Sequence, residues 1–379
     1  MMPLTERPGS RLIYNPIERQ SPMTQKTRAS LKDIANQTGL SISTVSEALR
    51  NSPKVRPRTR KLVEEAAARL HYRPNPLVTA LMSQVREAKQ PTDSLVLALI
   101  DASNRKEQLS VSHWNATVIE GAARRASILG CKTETFSLGK ETLTEERINQ
   151  IILTRGIQGV LVLSMPNPWS KLKLDFDQFS LATIAYSLRS PRLHRVSPDH
   201  GRGMRMALKK TTDAGYNRIG FYSDKETELR VNHQMLASLY WYNQQIPREF
   251  RIPPLVSEFY AKDEFDAWYD KWSPDAIISP RDFVLTWLTE RGVQVPDQVG
   301  FVSLNLTESL LECAGWNQRP DLQGEAAVEC IMDQLNRNER GIPTNPKTIT
   351  LDGEWQNGPT LPSEPRPERS KLGDIFISV

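Results

Sequence analysis

Cysteine is nearly missing from this chain: among 379 residues only Cys131, Cys313 and Cys330 occur. An odd number of thiols at such wide spacing gives neither a disulfide framework nor the paired spacing of a zinc site, and it suits a reducing cytoplasm. Long apolar runs are missing as well. The mean hydropathy is -0.47, and no stretch approaches the roughly 20 apolar residues that a membrane helix needs. The amino-terminal region, with Glu6, Pro8, Arg11, Asn15 and Pro16, holds no apolar signal core. Histidine is scarce, and His71, His113, His194, His200 and His233 form no HExxH and no close pair. Nor is there a nucleophile elbow or a glycine-rich phosphate loop. Asp199-His200 is the one adjacent acid and imidazole, but it precedes a helical stretch, where Asp more often caps. No catalytic residue, metal or cofactor is expected, and Trp241, Trp268, Trp272 and Trp287 read as packing residues.

What the chain does have is a local excess of positive charge. Between Lys26 and Lys89 stand 13 Lys or Arg against five Asp or Glu, a net of +8 in a chain whose total is +5. Charge concentrated on one small segment is the electrostatic footprint of a phosphate-binding module. In the same segment, apolar residues fall at helical spacing in three runs: Leu31, Ile34 and Ala35; Val45, Ala48 and Leu49; Leu62, Val63, Ala66 and Leu70. Each run has a start signal. Ser30 with Asp33 makes a capping box, Ser41 can cap the second helix, and Pro57 suits the first turn of the third. Gly39 punctuates the first two. Three short helices sharing one core, in a helix-turn-helix arrangement, are therefore expected, with the second helix placed to enter a DNA major groove.

The string LKDIA, followed by GLSISTVSEALRNSPKVRPRTRKLVEEAAARLHYRPNPL, resembles the DNA-binding domain of the lactose-repressor (LacI/GalR) family of bacterial transcription regulators. The resemblance implies that Ile42, Ser43 and Glu47 contact base edges, while Lys32, Thr44, Ser46, Arg50, Arg56 and Arg58 contact the DNA backbone. Side-chain chemistry agrees with that division. Ile42 can meet a thymine methyl, Ser43 can bond to several base edges, Glu47 can accept from a cytosine amino group, and the arginines can meet phosphates. Glu47 stands where relatives often carry a basic or polar residue. In the following segment, YRPNPLVTALM, the resemblance implies a hinge helix that forms on the operator and enters the minor groove through Asn75, Val78, Leu81 and Met82. Leu81 holds the position of an apolar wedge between base pairs. By their own chemistry, Pro74 and Pro76 suit either a helix start or an extended linker.

Beyond the hinge about 290 residues remain, more than one compact core usually needs, so two subdomains are expected. Strand-like runs occupy residues 95–100, 159–163, 181–185, 218–222, 276–279 and 299–303, and helical stretches occupy 115–129, 145–154, 203–214, 232–245 and 283–291. Such alternation builds parallel sheets covered by helices on both faces. Stretches such as VIEGAARRASILG, GIQGVLVLS and QGEAAVECIMDQL resemble, more diffusely, the effector-binding domain of the same family, which is similar to periplasmic sugar-binding proteins. The expected fold is α/β: a three-helix helix-turn-helix domain and hinge helix, then a two-lobed periplasmic-binding-protein-like domain with parallel sheets. The expected divisions are a disordered extension over 1–27, the helix-turn-helix domain over 28–73, hinge and linker over 74–90, the effector-binding and dimerisation domain over 91–358, and a disordered tail over 359–379. Either Met1 or Met23 can start translation.

By local alignment with the same family, the effector-binding positions are Trp114, Asn115, Ser164 and Tyr186 from one lobe and Arg230, Phe259, Asp282 and Asn305 from the other. Arg230 and Asp282 would form charge-assisted bonds to sugar hydroxyls or a carboxylate. Their own chemistry also fits an Asp282 helix cap and an Arg230 surface ion pair. The partners implied are double-stranded operator DNA, a second copy of the chain and a small sugar-like effector, with no membrane. The function implied is a cytoplasmic, sequence-specific regulator of transcription, more often a repressor, that is not an enzyme. The alternative is a small-molecule-binding protein or enzyme with a DNA-binding appendage.

Overall fold

The structure is a computed structural model that describes residues 30–50, 52, 55–70, 72, 95–103, 109–139, 141–306 and 312–366. The chain divides into two compact units, residues 1–80 and 81–379. The hinge positions Asn75, Val78, Leu81 and Met82 lie outside the described residues.

The first unit is the expected set of three helices. α1, Leu31–Thr38, begins with a complete capping box: the Asp33 carboxylate accepts from the Ser30 backbone at 2.8 Å, and the Ser30 hydroxyl accepts from the Asp33 N–H. It ends at Gly39, whose φ of 71° is the left-handed conformation that glycine adopts at no cost. α2, Ile42–Leu49, is capped by Ser41, and α3, Pro57–Arg69, carries Pro57 in its first turn. Ile34, Val45, Ala48, Val63 and Ala66 are fully buried together, with Leu31, Leu40, Leu49, Leu70 and Tyr72 packed around them.

The second unit holds two layered α/β lobes. In chain order its elements are β1 (Val96–Asp101), α4 (Leu109–Ile128), β2 (Lys132–Ser137), α5 (Glu145–Thr154), β3 (Gly159–Val162), β4 (Ser170–Lys171), β5 (Ser180–Ile184), β6 (Leu188–Ser190) and β7 (His194–Pro198). They continue as α6 (His200–Asp213), β8 (Ile219–Asp224), α7 (Lys225–Arg230), α8 (Gln234–Gln245), β9 (Leu255–Ser257), α9 (Lys262–Trp272), β10 (Ala276–Ser279) and α10 (Phe283–Glu290). The last are β11 (Gly300–Ser303), β12 (Gly315–Asn317), α11 (Pro320–Arg337), β13 (Thr348–Leu351) and β14 (Glu354–Gln356).

One sheet runs β13-β7-β5-β3-β1-β2, all parallel, and the other runs β14-β12-β11-β10-β8-β9 with only β14 antiparallel. β3, β5, β8, β10 and β11 are buried along their whole length, because helices cover both faces. Each sheet accordingly has an apolar cluster on either side. The chain passes from lobe 1 to lobe 2 at the carboxyl end of β7, returns at that of β12, and passes again at that of β13. The carboxyl ends of both parallel sheets therefore face one interlobe cleft. α11 returns to lobe 1 and crosses α4 where both helices carry glycine. A Cβ on Gly121 would sit 1.9 Å from the Asp321 carbonyl oxygen, and one on Gly324 would sit 2.0 Å from that of Val118.

Two expectations need correction. The helical stretch expected over 232–245 starts two residues later, at Gln234, because Asn232 and His233 adopt φ of 54° and 59° between α7 and α8. The tail expected over 359–379 is packed over its described part, 359–366. Thr360 accepts from the Phe301 N–H, Leu361 is buried, and the Arg366 N–H donates to the Ala214 carbonyl, because these residues complete the lobe 2 core. No apolar run announced β2, an edge strand whose one buried side chain is Phe136.

Candidate nucleic-acid interface and interlobe cleft

Packing of α2 through Val45 and Ala48 turns a stripe of Ser43, Ser46, Glu47 and Arg50, spaced three, four and seven residues along the helix, away from the core. Ile42 opens the helix with 49% of its surface exposed, an unusual place for an isoleucine without a partner. The hydroxyls of Ser41, Ser43 and Thr44 form a chain with 2.8 Å spacings at the helix start, and the Arg50 Nε folds back to the Ser46 carbonyl at 3.0 Å. Lys32, Arg56 and Arg58 are exposed, and none of them makes an ion pair among the described residues. The structure thus brings all the expected base-contact and backbone-contact residues onto one small module. Each sits at a helix start or on the outward stripe of α2.

In the cleft, the side chains expected from lobe 1 hold the lobe together. Asn115 is fully buried, and its Nδ2 donates to Asp101 Oδ1 at 2.8 Å and to the Ser164 carbonyl at 3.0 Å, tying the end of β1 to the end of β3. Ser164 lies 3.4 Å from the Ser187 hydroxyl, and Trp114 packs against the α4 and α11 cluster. Tyr186, after β5, accepts from Gln234 Nε2 of lobe 2 at 3.1 Å and lies under the Arg195 guanidinium, 4.6 Å away. Burial lowers the Arg195 pKa from its ordinary value, and no carboxylate among the described residues pairs with it.

Lobe 2 departs further from the expectation. Arg230 is part-buried, pairs with Glu226 and reaches across the cleft, donating from Nη1 to the Met165 carbonyl at 2.8 Å and from Nη2 to the Pro166 carbonyl. In return, Arg189 of lobe 1 donates to the Leu229 carbonyl at 2.8 Å. Arg230 therefore joins the lobes as it stands, in addition to its ion pair. Asp282 caps α10, accepting from the Phe283 N–H at 2.9 Å. Phe259 is 61% exposed and meets Phe283 edge-on, while the Asn305 N–H donates to the Ser303 hydroxyl at 3.1 Å.

Sequence reasoning missed Asp224 and Arg281. Asp224 ends β8 with no exposed surface, caps α7 through the Thr227 N–H and hydroxyl, both at 3.0 Å, and accepts from Arg281 Nε at 2.5 Å. Burial by itself raises the Asp224 pKa, but the Arg281 bond and charge outweigh it and hold the carboxyl below its usual range. The signals were present as an Asp before a helical turn and an Arg beside Asp282. Their pairing spans 57 residues and leaves no local pattern.

The described chain thus comprises a helix-turn-helix module and a two-lobed, parallel-sheet domain with a cleft at its strand ends. Residues 30–75 match the family model described as bacterial regulatory proteins, lacI family. The regulator GalS of Salmonella typhimurium is 29% identical over 198 residues, 51% of this chain and 53% of GalS. CelR of Thermobifida fusca is 23% identical over 52% of this chain and 56% of its own length, so the chain spans about half the length of these two relatives. The repressor CytR of Escherichia coli is 27% identical over 342 residues, 84% of this chain and 93% of CytR. Among solved structures, a CelR-cellobiose complex superposes with a TM-score of 0.54 at 18% identity, covering 88% of this chain and all of the other. The lac repressor dimer bound to operator and the anti-inducer ONPF gives 0.51 at 19%, covering 89% and 100%. These likenesses establish the two-lobed fold.

Proposed function

We propose that this chain is a sequence-specific transcription regulator, acting in the cytoplasm as a homodimer on a two-fold symmetric operator and controlled by a small effector bound between its lobes. The observation that carries this reading is the outward stripe of α2, with Ile42, Ser43 and Glu47 on a helix fixed by packing on α1, in a module where Lys32, Arg56 and Arg58 are exposed and make no ion pair among the described residues. Repression, a sugar-like effector and minor-groove entry by Asn75, Val78, Leu81 and Met82 follow the family pattern and belong to the same proposal. The relatives are named as transcriptional regulators, which favours this reading over an enzyme with a DNA-binding appendage.

Selection of bound duplexes from a random DNA pool, with and without sugars and sugar acids, tests the reading. A palindromic consensus whose recovery changes with a ligand is the expected result. Recovery of no consensus sinks the DNA-reading assignment. In the selected duplex, Leu81→Ala is expected to lose about 1,000-fold in specific affinity while salt-dependent nonspecific binding persists. Unchanged operator affinity rules out the wedge.

A further inference from the structure

The lobe 2 side of the cleft has one group prepared for a ligand, and it is not the residue that the family alignment favours. Arg281 follows β10 at the cleft-facing ends of the strands; β8, which ends in Asp224, is the neighbour of β10, and β9, whose following segment carries Phe259, is the neighbour of β8. Its Nε is fixed by the buried Asp224 carboxylate at 2.5 Å, and its Cζ lies 4.9 Å from the centre of the Phe259 ring. The Arg281 side chain is 18% exposed, and its two terminal amino groups have no hydrogen-bond partner among the described residues. One edge of the guanidinium is thus spent on holding the group in place. The other edge, with parallel N–H donors, remains for an incoming acceptor.

Carboxylates in the cleft are employed differently. Asp101 accepts from Asn115 and the Ser103 N–H, Glu226 pairs with Arg230, Asp224 is saturated by Thr227 and Arg281, and Asp282 accepts at the start of its own helix. A neutral polyol is bound best where carboxylates accept its hydroxyl protons, and each of these carboxylates already accepts from or pairs with a group of the protein. An oxyanion needs a fixed pair of donors, which a guanidinium supplies in matching geometry.

Resting on the reading of the cleft as the effector site, we propose that Arg281 determines effector specificity and that the effector is an organic anion. Its carboxylate or phosphate would be held by the free edge of the Arg281 guanidinium. Phe259 and Asp224 are positioning residues, one a platform beneath the guanidinium and the other its anchor. Ligand charge, more than ligand hydroxyl pattern, then decides which small molecules act.

The test is isothermal titration of the full chain with D-glucuronate and glucose 6-phosphate against D-glucose, and with D-galacturonate against D-galactose. At least one anion is expected to bind tenfold or more tightly than its neutral parent, and the uronate and phosphate arms separate the two sources of negative charge. Arg281→Lys keeps a cation opposite Asp224 but lacks the fork, so it should lose at least tenfold in affinity for that anion. If Arg281→Lys fails to fold, the paired change Asp224→Asn with Arg281→Gln, which leaves the site neutral, should show the same loss. A neutral parent that binds as tightly as its acid overturns the proposal. If that neutral binding falls in Arg230→Ala, the cleft remains the effector site and only the ligand class is wrong. Failure of every panel member to bind the folded wild-type chain overturns the proposal too, and ligand-independent operator selection beside it removes the effector reading as well.

Discussion

The described part of residues 30–72 buries only apolar side chains, whereas the two-lobed domain buries Asp101, Asn115, Asp224, Glu228, His200 and Gln323 as well. In the small module the polar side chains cap helices, bond to nearby carbonyls or face outward, so its chemistry is turned toward the surface. The large domain turns polar groups inward at its strand ends, where they must be satisfied by one another. Arg230 on two carbonyls and Arg281 on Asp224 show this best: a polar cleft must first hold its own charges in place.

The contrast breaks most severely where the large domain is apolar. Trp287 is fully buried against Tyr222, Phe265 and Phe283, with ring centroids 4.6 to 5.5 Å away. Trp287→Ala should cost about 3–5 kcal/mol. Calorimetry should show the large-domain transition falling while the transition of residues 30–72 stays put. A shift in both would mean that the two units do not unfold independently.

A smaller effect concerns the buried titratable groups, which among the described residues lie in the large domain. Burial pushes the Glu228 pKa up to about 7, outweighing what Ser223 and the Leu236 backbone offer, and pushes that of His200 down to about 4 despite Asp199. The folded state holds the Glu228 proton more tightly than the unfolded chain does, so this contribution to stability falls from about pH 4.5 to about 7. For His200 the unfolded chain takes up the proton first, so stability is lost as pH falls from 6.5 to about 4. In the overlap the two slopes oppose. Urea titrations of Glu228→Gln should expose the His200 loss toward acid and gain on the order of 3 kcal/mol at pH 8. A variant whose pH profile parallels the wild type would show that Glu228 ionises normally.

The smallest expected effect returns to the helical module. Ser30→Ala removes one half of the capping box and should cost about 1 kcal/mol, read as a lower melting point of the first unit alone. No change would show that the Asp33 side chain caps without its partner.

Legibility in the sequence followed the range of each interaction. Ser30, Gly39, Ser41 and Pro57 announced the helix ends three or four residues from where they act, and the structure has those ends. The alternation of apolar runs with helical stretches announced the parallel sheets for a similar reason: a strand buried on both faces must be apolar throughout. β2, β7 and α9 were not announced, since edge position or mixed burial dilutes their pattern. Among the cleft residues, Tyr186 and Arg230 were anticipated by position, but their roles across the lobes were not.

The sequence by itself determined a basic, capped helical module and a doubly covered α/β domain, because caps, periodicity and local charge act within a few residues. Tertiary structure decided which groups of the cleft are spent and which are open. Arg230 meets carbonyls 64 and 65 residues away, and Arg281 meets a carboxylate 57 residues away. Such pairs form only when parallel strands, separated by whole helices, bring their carboxyl ends to one edge. No periodicity in the chain records which side chain will reach which partner there.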